Sequence, residues 1–530
     1  MQAALTPSRA NPVYPFRKPA DLDGRERHYP VCVVGAGPVG LAAAIDLKLR
    51  GVDVVLVDED DTVSAGSRLI CLAKRTLEIL ARLGIGPELA AKGVVWNRGK
   101  VFHGDELIYA FDLLPEEGHR WPAFINIQQY YVEEYLVERA RSLGLDLRWK
   151  TRLTEAAEQG GGVRVRVSTP AGDYAFTCDW LLACDGVRST VRGSLGLPFR
   201  GQSFPDRFLI ADVRMKSEFP AERRFWFDPP FHAGRSALLH KQPDDIWRID
   251  LQLGPDADPE EEARPEKVLP RIRAMIGPDT PFDLEWVSVY TFRCRRLERF
   301  RHGRIFFLGD AAHQVSPFGA RGGNGGIQDA DNLAWKLAET IRARAGPALL
   351  DSYEAERVPA ADENLLNSSR STDFMTPVGG AAEAFRDAAL TLARRHDFAR
   401  AFVNSGRLST PAILAASPLS TPDEPEWTGF EGPMQPGAAA IDAPLGNGWW
   451  LDRLDGGFSL LHFAEPGETA AADMGLPVHC ARPEGLLASR YDGRPGTTWL
   501  FRPDQHVAAR WRHFDAARID AAVERARGWQ

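Results

Sequence analysis

The sequence predicts an α/β protein in which a Rossmann-like nucleotide-binding domain is interleaved with a mostly antiparallel β-sheet domain and followed by a smaller third domain. Three observations predict it. VCVVGAGPVG (31–40) runs an apolar strand into a glycine-rich turn. Buried strands return at WLLAC (180–184) and RIFFLGDAAH (304–313). Between these returns, from about 200 to 300, lie strand-like pieces broken by Pro- and Gly-rich turns.

In chain order, residues 1–29 are rich in Pro and mixed charge, lack the apolar core of a signal peptide, and read as an extended arm. The strand VCVV, the turn Gly35-x-Gly37-x-x-Gly40, the helix LAAAIDLKLR ended by Gly51 and the strand DVVLVD make a βαβ unit. Gly35 permits the tight turn, Gly37 a close approach of backbone to pyrophosphate, and Gly40 close packing of helix on strand; Pro38 in the same turn is counted with them as cofactor-binding. The helix N-terminus then faces the phosphate charge. Asp58, eighteen residues after Gly40, stands near the place of an acid that bonds a ribose hydroxyl.

YYVEEYLVERARSLG reads as an amphipathic helix ending at Gly144, and VRVRVS as a half-buried antiparallel strand. RFWF, SALLH and IWRIDLQL belong to the second sheet, and NGGIQDADNLAWKLAETIRARAG to a long helix capped by glycine. The nucleotide-binding domain therefore comprises 30–85, 125–200 and 300–400, and the second domain 86–124 and 201–299. A Pro-, Ala- and Gly-rich linker covers 401–435, and 436–530 forms the third domain.

Composition narrows the class. A net charge of −8, a pI near 5.9 and the lack of a long basic run argue against nucleic acid. The longest apolar run, Val31 to Ile45, is broken by glycines and Pro38 and is no membrane span. Six cysteines without a Cys-x-x-Cys pair or zinc spacing read as buried thiols, with no metal site, in a soluble cytoplasmic enzyme.

The segment FFLGDAAHQVSPFGARGGNGGIQDADNLAWKL (306–337) selects flavin over nicotinamide. A flavin needs an acceptor for its ribityl chain, which Asp310 beside Gly309 supplies at a strand end. Its ring needs donors at N1 and O2, which the backbone amides of Gly322, Gly323 and Asn324 supply at a helix N-terminus.

GAGPVG, CDGVRSTVR and GDAAHQVSPFGARGGNGG, in that order, closely resemble the motifs of the single-component (class A) flavoprotein aromatic hydroxylases, the p-hydroxybenzoate hydroxylase and phenol hydroxylase family. The resemblance covers about 30–400 and implies non-covalent FAD, with NADH or NADPH as transient co-substrate. It implies that Asp185, with Ser189 and Arg192 nearby, serves FAD and NAD(P)H, that Arg68 reaches the FAD phosphates, and that Gln129 contacts FAD. Pro317 and Gly319 are implied to wall the flavin beside C4a, and Arg321 to place a cation near the ring. His313 is expected to belong to the turn. The C-terminal region resembles the thioredoxin-like domain that ends phenol hydroxylases; holding only Cys480, it implies packing or homodimer formation, not disulfide chemistry.

The family's reaction follows: NAD(P)H reduces FAD, O2 adds at flavin C4a, and the hydroperoxide's distal oxygen passes to a phenolic or catecholic ring. In SALLHKQPDDIWRIDLQL (236–253), gap-free comparison puts His240 at a substrate serine, Gln242 at a carboxylate-binding arginine and Asp250 at a substrate tyrosine. Arg248 alone is retained, at the arginine that meets the flavin in its moved position. Catalytic roles are thus expected for His240, Arg248, Asp250 and Pro317, and substrate contacts for His240, Gln242, Asp250 and Tyr290. His240, with a pKa near neutrality, would accept a phenolic proton. With Gln242 replacing the arginine, the expected substrate is a phenol without an essential carboxylate. A same-fold FAD reductase or halogenase stays open, although the Trp-x-Trp-x-Ile element expected of halogenases does not occur. So does a non-catalytic flavin-binding interaction protein.

Overall fold

β1 (His28–Val34) feeds the glycine turn and α1 (Pro38–Leu49), which opens on a proline in its first turn and is followed by Gly51 at φ 72°. β2 (Val54–Val57) lies parallel to β1, and Val31 to Val34 are buried because β1 has a strand on either side. The chain then leaves this sheet through α2 (Lys74–Arg82) and the hairpin of β3 (Arg98–His103) and β4 (Glu106–Asp112). It returns with α3 (Gln129–Ser142), β5 (Asp146–Arg148), the antiparallel pair β6 (Arg152–Gln159) and β7 (Gly162–Thr169), and β8 (Gly172–Ala183). β8 pairs antiparallel with β7 and parallel with β1, so one long strand serves both parts of the sheet.

The second sheet is built from β9 (Arg200–Arg214), β10 (Arg223–Phe227), β11 (Ser236–Lys241), β12 (Ile246–Gly254) and β13 (Asp283–Arg296). With α4 (Pro265–Ile276) preceding β13, the order is His313–Gln314, β13, β9, β12, β11, β10, β3, β4. All neighbours are antiparallel except β10 with β3. One face is apolar, with Leu209, Ala211, Leu239, Ile249 and Leu251, and packs against Val268, Ile272 and Ile276 of α4. The other face carries the polar residues described below.

β14 (Ile305–Phe307) rejoins the first sheet beside β8, giving the order Arg301–His302, β14, β8, β1, β2, β5. The first sheet is thus left and rejoined. α5 (Gly322–Ile341) begins two residues before the expected start, and Ala343 at φ 54°, not a glycine, turns the chain after it. α6 (Asp351–Met375) and α7 (Gly380–Ala393) follow.

The C-terminal unit has a sheet of β15 (Ser459–Phe463), β16 (Val478–Ala481), β17 (Thr498–Phe501) and β18 (Val507–Trp511), in the order β16, β15, β17, β18. β15 and β16 are parallel and the other pairs antiparallel. A buried ionic seam joins this unit to the first domain. Arg502 binds Glu356 of α6 (Nη1 to Oε1, 2.5 Å) and Asp504, while Lys336 of α5 donates to Glu356 Oε2 at 2.6 Å. Arg75 of α2 bonds Asp331, Gln505 and the Asp504 carbonyl at 2.7–3.0 Å.

The computed structural model describes residues 9–529 except 25, 67, 218, 404–409, 431 and 465–473. Parts of the expected arm (1–8 and 25) and linker (404–409 and 431) lie outside the described residues. The described arm is anchored: Tyr14 is buried and stacks on Trp149 at 4.7 Å. The described linker also buries Leu414, Leu419, Trp427 and Met434 against its neighbours, which a loose tether would not do. Cys480 is exposed, correcting the reading of all six thiols as buried. Among the described residues no helix is long and apolar enough to cross a membrane.

Candidate active site

The glycine turn is shaped by close backbone packing. Gly35 has φ 103°, and a Cβ there would lie 2.5 Å from the Cys184 carbonyl oxygen; one at Gly40 would lie 1.9 Å from the Gly35 oxygen. A Cβ at Gly37 would meet nothing within 4 Å, so its outer side is open. Asp58 at the end of β2 braces this turn, one carboxylate oxygen accepting from the Ala36 amide and the other from Asp60 N at 2.8 Å. Asp185 sits across the turn; its Oδ2 accepts from Val191 N at 3.1 Å, while Oδ1 is buried without a partner.

Gly309 (φ 56°) and Asp310 follow β14. Asp310 is open to solvent, yet the surrounding loops crowd out much of its water; this desolvation holds the carboxyl above its usual range, against the pull of His313 and Arg68. The turn is fastened from behind. Asp329 of α5 accepts from His313 Nε2 (2.7 Å), Gly309 N (3.0 Å) and Arg357 Nε (2.7 Å). Burial alone would raise the Asp329 carboxyl, but His313 and Arg357 hold it below the ordinary value. Arg192 ties the Asp185 element to the same turn through the Ala311 carbonyl at 3.0 Å. His313 is therefore a structural part of the turn, and Asp329, Arg357 and Arg192 are the residues that position Asp310.

α5 starts without a side-chain cap, so the amides of Gly322, Gly323 and Asn324 carry the helix's first-turn donors. The Asn324 side chain points inward, accepting from Ala73 N and donating to the Cys71 carbonyl, both at 2.9 Å. Gln129 Oε1 accepts from Leu69 N (2.9 Å) and Arg68 N (3.3 Å), and its Nε2 donates to Ser64 and Glu133. It shapes the loop that carries Arg68. Arg68 itself is exposed and reaches over Tyr290 at 6.0 Å. Arg321 is buried and donates to Asn364 at 3.1 Å, so it is no solvated surface charge. Pro317 is exposed, next to Phe318, which packs edge-on to Phe208 and Phe292 of the second sheet at 5.5 and 5.4 Å.

The orphan Asp185 oxygen, the uncapped α5 N-terminus, the open Gly37 and the exposed Asp310 and Arg68 fit a flavin dinucleotide extended from the first glycine turn to α5. Phe318 links that site to the second sheet. A polar row crosses this sheet face: register sets His240 opposite Arg248, Arg248 opposite Asp212, and Asp212 opposite Trp286. Pairing of Arg224 with Leu239 extends the row to Arg223 beside His240. Asp250 lies one step along the same face.

Arg248 is forked onto Asp212, two bonds of 2.8 Å, and lies 5.5 Å from the Trp286 ring. Gln242 is also buried and donates to Asp212 at 3.3 Å. His240 is only 1% exposed; its Nε2 is 3.4 Å from Asp250 Oδ2, and neither ring nitrogen makes a hydrogen bond. Burial, with Arg223 beside it, pushes its pKa down to about 4, against the neighbouring Asp250. The expected near-neutral imidazole is thus corrected: desolvation keeps this ring uncharged well below neutrality.

Residues 28–368 match the family model described as FAD binding domain. The chain belongs to this FAD-binding family. Along 96% of its length the chain is 30% identical to 6-methylpretetramide 4-monooxygenase of Streptomyces rimosus, spanning 94% of that protein. It is 28% identical to the 3-(3-hydroxy-phenyl)propionate/3-hydroxycinnamic acid hydroxylase of Mycolicibacterium smegmatis, over 90% of each chain. Among solved structures, the flavin-dependent monooxygenase PieE in complex with FAD and substrate superposes with a TM-score of 0.77 and 25% identity, over 94% of this chain and 98% of that one. The chain is accordingly a FAD-dependent monooxygenase of the aromatic-hydroxylase kind.

Sequence reasoning missed Arg223. It is 5% exposed, and its Nε and Nη1 are buried without a partner. The signal was an arginine in an otherwise aromatic strand, RRFWF, but only strand register shows which of the two arginines faces inward.

Proposed function

We propose that this monooxygenase takes electrons from NADH or NADPH and, with O2, hydroxylates a phenolic or catecholic ring held against the polar face of the second sheet. The observation that supports it is a set of buried, unpartnered polar atoms, His240 Nδ1 and Nε2 and Asp250 Oδ1, on a face that meets the Pro317–Phe318 loop. Stranding such atoms costs about 1–3 kcal/mol each, which a hydroxylated ligand repays.

FAD, when bound, supplies the oxygen-transfer chemistry. Gly35, Gly37, Gly40, Asp58, Arg68 and Asp185 would hold its dinucleotide half, and Asp310 with the α5 amides its ribityl chain and ring. The chain's own part is to bind, orient and shield the ring. Phe208, Phe292 and Phe318 exclude water, which strengthens every polar contact nearby. A phenol O–H donates to neutral His240 Nε2 or to Asp250; as the ring becomes electron-rich the proton moves toward this pair, and Asp250 stabilises the imidazolium that forms.

The C-terminal strand order, one parallel and two antiparallel pairs, supports a thioredoxin-like domain that packs on its neighbour or serves a homodimer. The buried thiols Cys32, Cys71, Cys178 and Cys294 suit a reducing cytoplasm. The test is a panel of catechols, nitrophenols, alkylphenols and hydroxyphenyl acids, scored for hydroxylated product per NAD(P)H consumed. Coupled hydroxylation of at least one phenol is expected. NAD(P)H oxidation that no phenol stimulates would return the reading to a reductase or a flavin-binding module.

A further inference from the structure

We propose that Arg223 is a substrate-recognition residue that receives a planar oxyanion, a carboxylate or an ionised enol, on the substrate of this enzyme. The inference rests on the polar sheet face being the substrate pocket and adds the charge of the molecule that enters it. The loss of a carboxylate-binding arginine at Gln242 pointed to a substrate without an essential acid; the structure supplies a cation from another strand instead.

Several other buried guanidinium groups are paired with carboxylates. Arg248 forks onto Asp212, Arg502 onto Glu356 and Asp504, and Arg357 binds Asp329. Arg223 departs from this pattern: among the described residues no carboxylate oxygen lies within 4.0 Å of it, and two of its nitrogens are enclosed with nothing to donate to. Its near neighbours are the Phe225 and Trp96 rings at 5.0 and 5.6 Å. Trp96 Nε1 is another buried donor without an acceptor. The group that completes this corner must bring acceptors.

Water alone brings them only weakly, since a buried cation gains most from a charged acceptor, and a planar pair of oxygens matches the guanidinium fork. The layout also sets a size. Arg223 is on β10 and Asp250 on β12, two strand spacings apart, about 10 Å. A ring whose hydroxyl donates to Asp250, on the far side of His240, and whose short acidic arm, or acidic enol on a fused ring, reaches Arg223 spans that gap.

The test uses the FAD-loaded enzyme and calorimetric titration, which reports binding whether or not turnover follows. The probes are 3-(3-hydroxyphenyl)propionate, its uncharged amide and the acidic enol 4,7-dihydroxycoumarin. Wild type is expected to bind at least one anionic probe roughly ten- to a hundredfold more tightly than the amide. Arg223→Gln should abolish that preference while leaving amide affinity and FAD content unchanged. Preference for the propionate identifies a carboxylate substrate, and preference for the coumarin an enol; either supports the proposal. If Arg223→Gln does not hold FAD, Arg223→Lys decides, keeping part of the preference because it keeps the charge without the fork. Failure of wild type to bind either anion more tightly than the amide, or a preference that survives both variants, overturns it. Failure of the hydroxylation reading would show separately, as tight anion binding without product from any phenol.

Discussion

At the seam between α5, α6 and the C-terminal unit, Arg502, Lys336, Glu356 and Asp504 are buried together, just as Arg223 and His240 are on the second sheet beside half-buried Asp250. At the seam the charges answer one another. Glu356 accepts from Arg502, Lys336, Asn332 and Ser417, and burial that would raise its carboxyl is overcome, chiefly by Arg502 and Lys336. On the sheet, His240, Asp250 and Arg223 lie near one another with polar atoms left over. A satisfied network holds domains in place; an unsatisfied one leaves polar atoms that a ligand, water or ion can complete. The same residue types therefore close a structural network in one region and leave polar atoms open in the other.

The comparison breaks most readily at the seam. Glu356→Ala leaves Arg502 and Lys336 buried without their shared acceptor and should cost about 3–5 kcal/mol, read as a fall in the thermal unfolding midpoint. Melting unchanged from wild type would mean that water reaches the seam and satisfies it.

Next comes the paired member of the polar row. Arg248→Ala strands buried Asp212 and should cost about 3 kcal/mol of stability. It should also slow reduction of FAD by NAD(P)H in stopped-flow while substrate binding persists; normal reduction in a folded variant would leave Arg248 a structural residue alone.

Asp310→Ala acts on the cofactor rather than the fold, because Asp310 makes none of the bonds that hold its own turn; those belong to Asp329. FAD affinity should fall at least tenfold, about 1.4 kcal/mol, with little change in apoprotein melting. Full FAD occupancy at unchanged affinity would remove Asp310 from the site.

The smallest effect has the opposite sign and sharpens the contrast. His240→Leu removes two unsatisfied buried nitrogens, so ligand-free stability should hold or rise by up to about 1 kcal/mol while hydroxylation falls. Its pH dependence is a second readout. The folded ring titrates at about 4, below its ordinary value of 6.5, so between these values the unfolded chain holds a proton that the folded chain refuses. Wild type therefore loses this increment of stability as pH falls from about 6.5 toward 4, and His240→Leu lacks it. Identical acid profiles for the two proteins would show His240 to be solvated.

Much of the fold and of the candidate cofactor site is legible in the chain itself. Gly35 and Gly40 are specified locally, because a tight turn between a buried strand and a helix admits few residues; Asp310 and the α5 start follow from the second glycine-rich turn. These features depend on neighbours in sequence, and local sterics dictate them. The βαβ order, the interruption of the first domain and the antiparallel second sheet follow likewise from strand periodicity. Tertiary structure alone decided that Gln129 and Asn324 spend their side chains on loops, that desolvation takes His240 far below neutrality, and that two Arg223 nitrogens are buried without a partner beside His240. Each of those outcomes depends on which strands lie side by side and how much water remains between them, and hydrogen-bond partners and desolvation come from residues tens to hundreds of positions away.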